Sequence, residues 1–165
     1  MSTTRHTPSD GSARDPQIPV QAKLAAAWTS FMFLYIYVDH LHLYKPGAID
    51  AIRGGAVFEF QISPPLMTVF LASVAIPAVM VMLSMTMPAR ANRITNLVVA
   101  TLYIPYSLFN AVGETWEWAF FYGISIGIEV LLLIFILRSA WTWRRELPDA
   151  ADPAASDRMR QQASV

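Results

Sequence analysis

Glu129 and the Asp39/His42 pair are the residues of this chain whose presence most needs a chemical reason. Each carboxylate sits within, or at the lip of, a long apolar stretch, where an ionised group must be protonated, paired or bound to something. Asp39 and His42 lie three apart and Tyr35 is one turn before Asp39, so all three share a helix face. An acid held beside an imidazole can relay a proton or bind a cation, with the carboxylate orienting the ring. The same pair can instead satisfy itself near the water interface as a structural cluster. Tyr122, Ser125 and Glu129 share one side of a second helix, and Tyr103, Ser107 and Asn110 line a third. Glu129 then has two readings. It binds a proton or ligand between helices, or, protonated, it bonds Tyr103, Ser107 or Asn110 and acts as polar glue. These nine residues are the candidate polar site.

A metal centre would need further ligands from Glu59, Glu114 or Glu117, and no His-Glu-x-x-His spacing is present. No metal and no cofactor is therefore assigned. The absence of cysteine excludes disulfides, zinc–thiolate sites and thiol redox chemistry carried by this chain alone. Met67, Met80, Met82, Met85 and Met87 fit adaptable apolar packing. Twelve acids balance twelve bases, so no net basic field points to nucleic acid.

The elements that must position these groups are membrane helices. With 55% hydrophobic and 15% charged residues, the composition departs from that of soluble domains toward membrane proteins. Apolar runs at 24–44, 66–87, 94–112 and 118–137 predict an all-α, four-span membrane helix bundle over residues 20–146, between polar tails 1–19 and 147–165. Lys45-Pro46-Gly47 closes the first span. Residues 48–63 are too polar to cross and read as an ordered loop, with helical turns at Ala48–Arg53 broken by Gly54-Gly55 and strand-like alternation after them. Ser63-Pro64-Pro65 starts the second span, in which a buried Pro77 should kink the helix and free a carbonyl that a neighbour must satisfy. Residues 88–93 read as a short basic turn, and 113–117 as a tight hairpin that makes the last two spans antiparallel neighbours. Gly123 and Gly127 lie nearly opposite Glu129 and permit close contact with another helix or a second copy of the chain, as in a homodimer.

Lys and Arg set the orientation. Arg5, Arg14, Lys23, Arg90, Arg93, Arg138, Arg144, Arg145, Arg158 and Arg160 fall on one side and only Lys45 and Arg53 on the other, which predicts both termini in the cytosol. Asp39, His40, His42, Asp50, Glu59, Glu114 and Glu117 then lie toward the outer face.

The order of landmarks resembles an uncharacterised family of small bacterial four-span membrane proteins, a domain of unknown function. The shared features are Asp39, Tyr44 and Pro46-Gly47 closing span one, and Gln61-Ile62 entering span two. Pro77, the Arg90-Ala-Asn92-Arg93 turn followed by Asn96, Glu129, and a Trp141/Trp143 exit complete the set. The resemblance covers roughly residues 23–145 and implies a bacterial cytoplasmic membrane, but no reaction. His40 and His42 fall outside the pattern, which points away from a histidine relay as the common activity. The architecture is also similar to DoxX-like and sterol-isomerase-like four-span proteins, at the level of fold alone.

The expected function is a non-enzymatic protein in a lipid bilayer that binds, transports or presents a small or lipophilic ligand. One alternative is a structural assembly factor with no ligand site. Another is a membrane enzyme with Glu129 as acid and Asp39 or His42 as base.

Overall fold

Prolines and glycines cut the chain where helices must stop. The computed structural model describes residues 18–58, 60–110, 112 and 115–143. Glu59, Glu114, Gly113, Arg144, Arg145 and the tails expected at either end (residues 1–17 and 147–165) lie outside the described residues.

Helix α1 (Val20–His42) starts just after Pro19 and ends where Leu43 N–H turns back onto His40 and Leu41 carbonyls. Gly47 follows with φ +82°, the left-handed conformation a side chain would resist. A six-residue helix α2 (Ala48–Arg53) stops at Gly54, and Gly55 (φ +85°) reverses the chain. Strands β1 (Ala56–Val57) and β2 (Phe60–Gln61) then pair antiparallel, Ala56 opposite Gln61. The loop thus carries the helical turns and the alternation expected of it.

Helix α3 (Pro64–Thr86) is capped by Ser63, whose Oγ accepts from Leu66 N–H at 3.4 Å, and it runs through Pro77 without a break. Helix α4 (Ala89–Phe109) corrects the sequence reading. Residues 89–93 are its first turn rather than a separate basic turn, because Pro88 takes the cap with φ −63° and good helix formers follow. Helix α5 (Ala119–Thr142) follows a 3₁₀ turn at Trp116–Trp118.

Helix α1 packs along both α3 and α5, and α4 packs along α5, whereas α3 and α4 touch only sparsely. The space between α1 and α4 is filled by rings. Trp28, Phe31 and Tyr103 meet edge to face with centroids 5.5–6.0 Å apart. Leu24, Met80, Ala100, Leu133, Ile136 and Ala140 close around them.

Beside this apolar core the structure buries several polar side chains while leaving large apolar ones exposed. Ser84, Asn92, Asn96, Ser107 and Glu129 are at most 2% exposed, while Leu71, Leu102, Leu131 and Phe120 are 63–81% exposed. Pro64–Thr86 and Trp116–Thr142, 23 and 27 residues, are long and apolar enough to cross a hydrocarbon core.

Candidate functional site

Helices α3, α4 and α5 each bury several polar side chains, and these meet in layers. On α3 the buried positions are Ser73, Pro77, Met80 and Ser84, one face at helical spacing. On α4 they are Asn92, Asn96, Ala100, Tyr103 and Ser107, and on α5 they include Tyr122, Ser125, Glu129, Leu133 and Ile136.

The layer nearest the α3–α4 connection is fully paired. Trp28 Nε1 donates to Asn96 Oδ1 at 2.7 Å, and Asn96 Nδ2 donates to Asn92 Oδ1 at 2.6 Å and to Asn92 O at 2.9 Å. Asn92 Nδ2 donates in turn to Ser84 O at 2.6 Å. Every amide here has a partner, as a buried polar network must if it is to hold helices together.

The middle layer forms around Pro77. A proline has no N–H for the carbonyl four residues earlier, which is Ser73 O. Tyr103 Oη reaches across from α4 and donates to that oxygen at 2.9 Å, so the freed acceptor is satisfied by a neighbour as the sequence required. Ser73 Oγ donates to Phe70 O at 2.7 Å, and Tyr35 Oη shares a hydrogen bond with Tyr106 Oη at 3.0 Å. Beside this cluster the pairing fails. Among the described residues, only Ser107 Oγ and Glu129 Oε2 are buried side-chain atoms with no hydrogen-bond partner. The Ser107 hydroxyl stands next to the Glu129 carboxyl without closing a bond of proper geometry. Asp39, one turn outward from Tyr35, is near enough for its charge to be felt at both Tyr35 and Glu129.

The outermost layer joins α1 to α5. His42 Nδ1 and Tyr122 Oη share a hydrogen bond at 2.6 Å, and the Phe58 ring lies tilted against the imidazole with centroids 4.6 Å apart. Lys45 Nζ lies over the rings of Trp118 and Tyr122, 5.7 and 5.8 Å from their centroids. A cavity of about 220 Å³ opens here between His42, Lys45, Ile52, Val57, Phe58 and Val112.

The nine residues singled out in the sequence therefore separate. Tyr35, Ser107 and Glu129 gather in the middle layer, with Tyr103 at its floor and Asp39, solvent-exposed, at its outer edge. His42 pairs across the interface with Tyr122; among the described residues no hydrogen bond joins it to Asp39, because the ring is drawn toward α5. Ser125 Oγ is used locally, donating to Phe121 O or Tyr122 O at 3.1 Å, and Asn110 is half-buried at the end of α4. Neither Tyr103 nor Asn110 glues Glu129. Gly123 and Gly127 are exposed, and a Cβ at either would meet nothing within 4 Å.

Sequence reasoning passed over Trp28, Ser73, Ser84 and Tyr106, and named Asn92 only as a landmark of the family resemblance. The signal for the two serines was present, since Ser73 and Ser84 stand eleven residues apart on the Pro77/Met80 face of an otherwise apolar helix.

The chain matches the model of a family of unknown function, DUF6326, over residues 19–149. No curated protein and no solved structure matches it.

Proposed function

For this chain, which belongs to the DUF6326 family, we propose a four-helix bundle that spans a bacterial cytoplasmic membrane four times and holds a small ligand between its helices without transforming it. Four considerations support the spanning. Large apolar side chains cover the outside while Ser84, Asn92, Asn96, Ser107 and Glu129 are kept inside, the arrangement lipid favours. Helices α1 and α4, though more polar, are 23 and 21 residues long, about 34 and 31 Å. Aromatic–cation pairs stand at both ends, Lys45 with Trp118 at one and Arg93 with Trp141 at the other. The ten-to-two distribution of Lys and Arg puts both termini in the cytosol.

The observation that carries the ligand is the orphaned pair, Glu129 Oε2 and Ser107 Oγ. Each buried unpaired polar atom costs about 1–3 kcal/mol, more if charged. A protein that satisfies Ser73 O and the whole asparagine network leaves these two atoms for something it does not itself supply.

Two measurements test this reading. The chain has no cysteine, so single substitutions report topology without background. S9C and S156C should react with an impermeant thiol reagent only after the membrane is opened, and A48C should react without opening. Native mass spectrometry of the protein released from its own membrane should show an added small mass that E129Q abolishes. A bare protein whose stability E129Q leaves unchanged would favour the structural assembly factor instead.

A further inference from the structure

We infer that the Glu129–Ser107 site takes a small monovalent cation, an ion of about the size of ammonium, and takes it from the outer face only. The inference rests on the proposed ligand site and on its membrane orientation, and names the ligand's chemical class and its route. Enclosure bounds the size, since Ser107 is 0% and Glu129 2% exposed.

Charge sets the sign. Among the described residues, the ionisable side chains of the middle and outer layers around Glu129 are Tyr35, Asp39 and His42 on α1, Tyr103 and Tyr106 on α4, and Tyr122 on its own helix, and α3 adds the hydroxyl of Ser73. His42 stands with Tyr122, about two helical turns outward. Lys45 stays over Trp118 and Tyr122, and Arg93 stacks on Trp141 at the far end. A buried carboxyl with a second acid nearby and no cation among the described residues in its layer attracts positive charge.

The surroundings set the direction. On the outer side of Glu129, Asp39 is exposed and Asn110 half-buried, and farther out His42 and Val57 line the flap cavity. Inward lie Phe31, Trp28, Leu133 and Ile136, each 0% exposed, with Met80 at 2%. That plug is apolar and close-packed, and below it the asparagine amides are already paired with one another. A cation gains nothing by moving inward.

The test uses the full chain in sealed vesicles of one orientation, with infrared difference spectra of the protonated-carboxyl band. Stepping the external pH with the internal pH clamped should change a band that E129Q removes, and stepping the internal pH should not. At fixed pH, external sodium, potassium or ammonium should displace the same band; a band that none of the three moves shows a carboxyl that only exchanges protons and overturns the ion. S107A should weaken the cation response about tenfold, the effect of losing one buried hydrogen bond to a charged group. A band that follows internal pH overturns the one-sided route. A band that follows neither side, while a molecule held through Glu129 still appears by mass spectrometry, overturns the cation but leaves the ligand site standing. If both readouts are silent, the two readings fall together.

Discussion

Replacing Tyr103 by Phe removes one oxygen and leaves the ring in place between Trp28 and Phe31. The loss falls on Ser73 O, which Pro77 has already deprived of its backbone donor. An acceptor left bare in the interior costs about 1–3 kcal/mol. Hydrogen bonds between membrane helices, measured by double-mutant cycles, average about 0.6 and reach about 1.7 kcal/mol. Tyr103→Phe should therefore destabilise by about 1–2 kcal/mol. The decisive step is the second corner of the cycle. In Pro77→Ala the N–H returns, the helix bonds Ser73 O by itself, and Tyr103→Phe should then cost less than about 0.5 kcal/mol. Unfolding in mixed detergent–SDS micelles, followed by far-ultraviolet circular dichroism, measures all four corners. Equal costs in the two backgrounds would refute the claim that the hydroxyl stands in for the missing amide.

Asn96→Leu strands both Trp28 Nε1 and Asn92 Oδ1, and the same titration should report a loss of about 2–4 kcal/mol, from two unpaired groups. Gly55→Ala, at φ +85° with open space around the added carbon, should cost about 1 kcal/mol through backbone conformation alone, by the same titration. Tyr122→Phe breaks the bond to His42 and should raise amide hydrogen exchange across residues 48–61 without changing it in α4. If the outer glycine face meets a second copy, Gly127→Leu should convert a dimer to a monomer on size-exclusion chromatography with light scattering. Its own fold has room for the new side chain, so loss of folding is not the expected cause.

The sequence carried the helices and the need for partners, and only some of the partners themselves. Pro77 announced a freed carbonyl from composition alone, because the missing N–H is a property of the residue. That Tyr103 supplies the donor depends on how α4 lies against α3, which no local pattern encodes. The Asp39/His42 pairing failed for the same reason. Spacing puts both on one face, but Tyr122 on α5 offers His42 a bond at 2.6 Å, and contacts between helices overrule neighbours along one. Residues 88–93 were misjudged because basic residues after a proline look like a turn; they are equally good first-turn residues, and α4 starts at Ala89. Glu129 was legible as costly, and only the packing reveals that its Oε2 has no hydrogen-bond partner among the described residues.

The bond from Tyr103 to Ser73 bears on how the protein is made. In the proposed membrane arrangement, a helix that lacks one of its own hydrogen bonds would be incomplete on entering lipid by itself, and the donor it awaits lies thirty residues further along. Only Met87 and Pro88 separate α3 from α4, so the two emerge nearly together. Under that arrangement their shared bond would make the hairpin, rather than the single helix, the unit of insertion during synthesis.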